Sequence, residues 1–324
     1  MKGHCIICHK NNLELTDEHV IPDSLGGSYH IFSVCKNCNS YMGRFADISL
    51  INHPLIKLYR EKYKLSGKTG KIPSFLCDKP VFSSDDNDKM QFYKDDNDNL
   101  KLKYLPETKY MKKQDGNIEF EIVCDEQDKD MIIDNIRNKY KAKGANVIFN
   151  EPVASIEKGK RIYRTFEIND DIMFGYVFGF LKIAYESSCD VFSSYEDDEN
   201  AIAISKMLIS LKLNKNSTGD YEELFHKYGI IDLQNAKDHF QKRILPAMDC
   251  LHIRTSNQHI IWFKYVEQFG LYCFISLFEE IRLGIKISKR NYLEKYTFIC
   301  ITTDYKNKKC KRMRFSSISG LEFF

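Results

Sequence analysis

Apolar and polar residues change period along this chain, and the changes mark its elements. "MQFYKDDNDNLKLKYL" (90–105) alternates with period two on both sides of "DDND", a strand–turn–strand pattern. "IEFEIV" (118–123) is a further strand candidate. In "EQDKDMIIDNIRNKYKAKG" (126–144) the spacing becomes helical. Met131, Ile132, Ile136 and Tyr140 share one face, and Gly144 supplies a stop. "IMFGYVFGFLKIAY" (172–185) is apolar round most of its circumference, which predicts a buried core helix. Gly175 and Gly179 would let a neighbouring backbone come close to it. A second helix is expected at about 199–213. Four segments follow near the C-terminus: "HIIWFKYVE", "LYCFISLFEE", "LGIKIS" and "YTFICITTD". Their β-branched and aromatic residues, separated by turn residues, predict an antiparallel meander.

Residues 1–75 hold four of the cysteines, and "TDEHVIPDSLGG" (16–27) within them reads as a strand entering a glycine turn. They end in "LSGKTGKIPS" (65–74), a Gly/Lys/Pro-rich segment that reads as a linker or exposed loop. The expected organisation is therefore a small module over 1–75 and a larger α+β domain over 76–324, with a possible sub-boundary near 165. A hydrophobic content of 43% over 324 residues suits a globular chain with a buried core, not a disordered one.

The net charge of +3 does not by itself announce a partner, but the charge is unevenly placed. "KLYREKYKLSGKTGK" (57–71) and the region 286–314, ending in "KNKKCKRMR", are basic, whereas 83–99 is acidic. Basic clusters of this kind follow phosphate backbones or form solvated faces. The N-terminus "MKGHC" lacks the apolar core of an export signal, and the longest apolar run is short for a membrane span and contains Lys182. These features predict a soluble protein with no membrane partner, in a reducing, cytoplasmic compartment. Clustered cysteines in that setting read first as metal ligands.

Four of the cysteines are clustered. Cys5-x-x-Cys8 and Cys35-x-x-Cys38 are separated by 26 residues. Each pair forms a knuckle pointing two thiolates at one ion, so the four suit a structural zinc. A small segment poor in apolar residues needs such a staple, because metal binding supplies its folding free energy. The other seven cysteines are scattered and are expected in the core.

The whole segment "CIICHKNNLELTDEHVIPDSLGGSYHIFSVCKNCNSYMG" (5–43) resembles the HNH nuclease family, the ββα-metal type. The matching features are CxxC, an acid–histidine pair followed by an apolar residue, Ile21-Pro22, Gly26-Gly27, and CxxC-Asn. The resemblance covers about residues 1–50. It implies an α+β protein: an N-terminal zinc-stapled ββα-metal (treble-clef-like) HNH module, then a larger α+β domain with an antiparallel sheet near the C-terminus. By the family pattern His19 is the general base, Glu18 the first ligand of a catalytic divalent cation and Asn39 the last. Oxygen ligands favour Mg²⁺ or Mn²⁺, separate from the zinc. Strand alternation puts Glu18 and His19 on opposite sides in an ideal geometry, although a twisted hairpin can bring both to one phosphate.

One position departs from the family. His30 stands where the middle asparagine is usual, and either orients the base, binds the ion or is silent. Asp17 is a reserve ligand. Lys36 and Arg44, at the start of the helix, are candidates for phosphate contact.

The leading expectation is a metal-dependent DNA endonuclease in restriction or antiphage defence, acting as a homodimer; the family resemblance implies a bacterial or phage-infected cell. The alternatives are a homing or mobile-element endonuclease and a non-catalytic zinc-dependent nucleic-acid-binding regulator. The large remainder of the chain would serve recognition, dimerisation or regulation, including the sensing of a small molecule or modified DNA.

Overall fold

The structure is a computed structural model that describes residues 2–77, 79–83, 88–97, 99–112, 118–125, 128–144, 147–149, 162–163, 170–210 and 257–316. The N-terminal module opens with β1 (Lys2–Gly3), β2 (Leu13–His19) and β3 (His30–Cys35), an antiparallel sheet in that order. Helix α1 (Lys36–Met42) starts at the residue after Cys35, and a π-helical stretch, Gly43–Asp47, carries it into α2 (Ile48–Asn52). Helix α3 (Pro54–Lys62) follows with Pro54 at its first turn, where the missing N–H costs no hydrogen bond.

The chain folds as two compact units. One combines Met1–Pro73 with Ile168–Phe324, and the other is Ser74–Glu167. A linear reading that divides the chain at 75 does not anticipate this grouping. The physical cause is a core shared by distant segments. Val20, Ile21, Leu25, Ile31 and Leu50 of the N-terminal module belong to the same buried cluster as Phe180, Leu181, Ile183, Ile261, Phe263 and Ile275. The N-terminal module shares its core with apolar side chains from the C-terminal half of the chain.

The second unit holds β4 (Val81–Ser83), β5 (Lys89–Lys94), β6 (Leu100–Tyr104), β7 (Glu107–Lys112), β8 (Ile118–Val123), α4 (Lys129–Lys141) and β9 (Ile162–Tyr163). Its four-stranded sheet has the order β6-β5-β4-β9, and β7–β8 pair separately. The expected hairpin is β5–β6, and Gly144 lies past the end of α4 with φ +74°, the left-handed stop that glycine favours.

In the first unit, helix α5 (Asp170–Val191) carries the long apolar run and α6 (Glu199–Ser210) follows. The expected extension of α6 to 213 lies outside the described residues. At Gly179 an added Cβ would sit 2.5 Å from the Leu50 Cβ, so this glycine sets how closely α5 packs on α2.

The strands β10 (Gln258–Val266), β11 (Gly270–Leu277), β12 (Ile281–Ser288), β13 (Phe298–Asp304) and β14 (Lys309–Phe315) form one antiparallel sheet ordered β12-β11-β10-β13-β14. Only the first three run as a simple meander, since β13 returns to the free edge of β10. Both faces of β10 and β11 are buried. Ile261 and Phe263 join the large core, while Ile260 and Trp262 join a second cluster with Tyr272 and Phe274. Strand β14 comes from the basic run, and its side chains are mostly exposed. No helix is long and apolar enough to cross a membrane among the described residues.

Candidate active site and metal centre

The knuckles do what their spacing predicts. One ligand atom from each of Cys5, Cys8, Cys35 and Cys38 lies within 4.8 Å of every other. The backbone N–H of Cys35 donates to Cys5 Sγ at 3.3 Å, and the first knuckle closes through His9 N to Cys5 O at 2.8 Å. The Cys5 thiol is held well below the usual cysteine range, first by the hydrogen bond with Cys38 and, against burial, by the Cys35 N–H. Cys38 is pushed up by the same pairing with Cys5. A clustered set of four sulfurs in which one thiolate is already stabilised fits a tetrahedral Zn²⁺.

Strand β2 splits its residues between two faces. Asp17 and His19 lie on one side with His30 of β3, and their ligand atoms also fall within 4.8 Å of one another. His30 pairs opposite His19, with ring centroids 4.1 Å apart and planes tilted by 50°. His30 Nδ1 is 2.8 Å from Asp17 Oδ1. The pairing slips register between Thr16 and Glu18, and this irregularity lets Asp17 reach His30 although it is not that residue's direct partner. Burial lowers the His19 pKa below its ordinary value, and the neighbouring His30 lowers it further. Neutral imidazole, the form that accepts a proton, is favoured.

Glu18 lies on the other face. It is 3% exposed, and its Oε1 is 2.6 Å from Lys182 Nζ in the middle of α5. The same ammonium donates to the His19 carbonyl oxygen at 2.9 Å and to Asp47 Oδ1 at 3.0 Å, and stands 3.6 Å from Glu186. Burial alone would pull the Lys182 pKa down, but the carboxylates of Asp47, Glu186 and Glu18 outweigh it and hold it above its usual value. Burial pushes Glu18 up, partly offset by Lys182. Glu186, buried one turn after Lys182, is pushed up strongly by burial and by the nearby Glu18 and Asp47.

Asn39, one residue after Cys38, reaches back to β2. Its Nδ2 donates to Asp17 O at 2.8 Å and to Thr16 Oγ1 at 3.2 Å. The second cysteine knuckle and the Asp17 backbone are thereby joined through one side chain. Lys36 and Arg44 are both exposed, on α1 and on the stretch after it.

The loop from Pro22 to Tyr29 is fixed by α3 of the module and, for the most part, by residues outside it. Gly26 has φ +79°, and an added Cβ would meet the Tyr305 Cβ at 2.6 Å. His259 Nε2 bonds Leu25 O at 2.8 Å, while its Nδ1 accepts from Phe278 N at 3.2 Å. Arg60 Nε donates to Ser24 O at 3.0 Å, and Lys308 Nζ pairs with Asp23 at 2.9 Å. Tyr29 donates to Asp190 Oδ2 at 2.5 Å, and Arg312 of β14 joins the same carboxylate.

Of the residues singled out from sequence, the structure brings His19 and His30 together, adds Asp17 to them, and places Asn39 against the Asp17 backbone. It does not bring Glu18 into that group. The Lys182 cluster was not read from sequence. Its signal was present: a lysine inside an apolar helix, with Glu186 four residues on. Among the scattered cysteines, Cys273 and Cys300 are buried as expected, whereas Cys310 is exposed on β14.

Residues 5–55 match the family model HNH_5, described as HNH endonuclease. No curated protein and no solved structure matches the chain at a significant level. The N-terminal segment thus carries an HNH endonuclease module with a four-cysteine cluster able to hold zinc. The match ends at residue 55 and says nothing of the rest of this 324-residue chain.

Proposed function

We propose that the protein is a metal-dependent DNA endonuclease in which the β2–β3 hairpin hydrolyses phosphodiester bonds. The observation that carries this reading is the grouping of Asp17, His19 and His30 on one open face of that hairpin, within a segment that matches the nuclease family. His19 is the general base. It takes a proton from water, the water oxygen attacks phosphorus, and one P–O ester bond breaks. A histidine held below its ordinary value of about 6.5 is unprotonated at neutral pH, so activity should fall as the solution is acidified through that lowered value.

The family pattern gives the cation to Glu18 and Asn39. The geometry better supports Asp17 and His30 as the side chains that hold it, because Glu18 is engaged by Lys182 and Asn39 spends its amide on β2. When bound, the cation stabilises charge on the phosphate and the leaving oxygen. A carboxylate–imidazole pair suits Mn²⁺ better than Mg²⁺, which prefers oxygen. Cys5, Cys8, Cys35 and Cys38 hold a structural Zn²⁺ beside this site.

Phosphate contacts fall to Lys36 and Arg44 and to β14. That strand carries Lys309, Lys311, Arg312 and Arg314, and Lys308 just before it pairs with Asp23 in the loop after His19. A duplex seated on the hairpin would thus meet a basic edge. Restriction or antiphage defence, acting as a homodimer that cuts both strands, is the context we favour.

The test is cleavage of plasmid DNA by the full chain with Mn²⁺ or Mg²⁺. His19→Ala should lower the rate by about 10²–10⁴-fold, the usual contribution of a positioned base, with DNA binding retained. Unchanged cleavage in that variant rules out His19 as the base. Binding without cleavage by the wild-type chain favours a zinc-dependent regulator instead.

A further inference from the structure

A second cluster of metal-binding side chains lies outside the hairpin. His4 and His9 flank the first knuckle, and Glu196 sits in the single turn of 3-10 helix, Tyr195–Asp197, that precedes α6. Their ligand atoms lie within 4.8 Å of one another. Both histidines turn a ring nitrogen to the same carboxylate oxygen. His4 Nε2 is 2.8 Å and His9 Nδ1 3.8 Å from Glu196 Oε2.

Their other ring nitrogens are already engaged. His4 Nδ1 meets Asn11 Oδ1 at 2.9 Å, and His9 Nε2 meets Ser205 Oγ of α6 at 3.0 Å. Outer hydrogen bonds of this kind fix the ring orientation of metal-binding histidines and direct the inner nitrogen at the ion. The backbone adds a constraint. His9 has φ +54°, in the left-handed region where glycine is the ordinary occupant. That conformation belongs to the turn closed by His9 N–H to Cys5 O at 2.8 Å, and the His4 and His9 ring centroids lie 5.9 Å apart.

From this geometry we propose that His4, His9 and Glu196 form a second transition-metal site, distinct from the four-cysteine cluster and from the hairpin face. Two imidazoles and one carboxylate suit Zn²⁺ or Co²⁺, with solvent completing the shell. Tetrahedral bonds of about 2.0–2.1 Å separate adjacent donor atoms by roughly 3.4 Å. The two distances to Glu196 bracket that value, so small side-chain adjustments accommodate the ion. The ion would join the knuckle to the segment that leads into α6, tying two distant stretches of one compact unit. The proposal is independent of the hydrolytic reading, because none of its three ligands belongs to the hairpin.

The experiment is a Co²⁺ titration of the full-length, zinc-loaded protein, followed by visible absorption and metal analysis. The wild type should take up Co²⁺ at this site and develop d–d bands without new thiolate charge transfer. His9→Ala and Glu196→Gln should each bind one equivalent fewer, keep the original zinc and melt as cooperatively as the wild type before titration. His30→Ala should keep the equivalent that they lose. Absence of such bands in the wild type would overturn the proposal. So would equal uptake by the Glu196→Gln variant, or loss of this equivalent in His30→Ala.

Discussion

The two ends of the β2–β3 hairpin are held by different chemistry. At its open end the cysteine knuckles converge, and Cys35, paired with Leu15 in the ladder, gives its N–H to Cys5. At its loop end the holding group is Lys182, an ammonium buried in α5 that gives one hydrogen bond to the His19 backbone and pairs with Glu18 and Asp47. The first device is local, with its four cysteines in two short motifs, and an ion held there would supply the free energy. The second joins residues 163 positions apart and exists only when the shared core has formed. Buried charges are expensive unless fully paired, so the loop end depends on the surrounding fold in a way that the knuckle end does not.

Removing the knuckle should have the largest effect. Cys35→Ser with Cys38→Ser should abolish zinc binding, worth about 10–16 kcal/mol in small zinc modules, and unfold the N-terminal strands. Metal analysis and proteolysis check this, and retained zinc would show that the four cysteines are not the site. Next comes the loop end. Lys182→Met leaves Glu18, Asp47 and Glu186 without their cation and should cost about 3–5 kcal/mol in urea unfolding. Adding Glu18→Gln to that variant should recover part of the loss, and strict additivity of the two changes would show that Lys182 does not hold the loop end through Glu18.

A smaller effect is expected within the loop itself. Gly26→Ala places a Cβ against Tyr305 at a left-handed φ and should cost about 1–3 kcal/mol, read as a lower Tm. The smallest effect belongs to the exposed Lys308–Asp23 pair. Lys308→Ala should cost less than about 1 kcal/mol, and less still in high salt. Asp23 is held below its usual value because Lys308 outweighs the opposing effect of burial. A carboxylate lowered in the folded state stabilises above its unfolded value, about 3.9, and loses that contribution as pH falls through its folded value. The difference between wild type and Lys308→Ala should therefore vanish in acid.

Several elements were legible before any coordinates. Strand β8 has the bounds 118–123 that its alternation predicts, and β10 to β13 fall on the four apolar segments. Strand β14 was not legible, because it is an exposed edge whose lysines and arginines carry no alternating apolar signal. At the site, His19 and the cysteines followed from motif and spacing. Asp17 ranked only as a reserve, because the one-residue slip opposite it leaves no trace in local sequence. Glu18 tested two arguments against each other. Alternation puts it opposite His19 and family resemblance puts it beside the phosphate; the fold follows alternation, because Lys182 waits on the buried side.

The sequence by itself determined the pairing of the four clustered cysteines, the motif that matches the nuclease family and most strands of the large sheet. These depend on spacing and period, which are local properties of a chain. Tertiary structure alone decided which distant segment completes the module's core, which face of β2 receives a cation from α5, and that His4 and His9 meet Glu196. Those choices depend on where buried charge and apolar surface find partners, and such partners are set by packing between segments far apart in the chain.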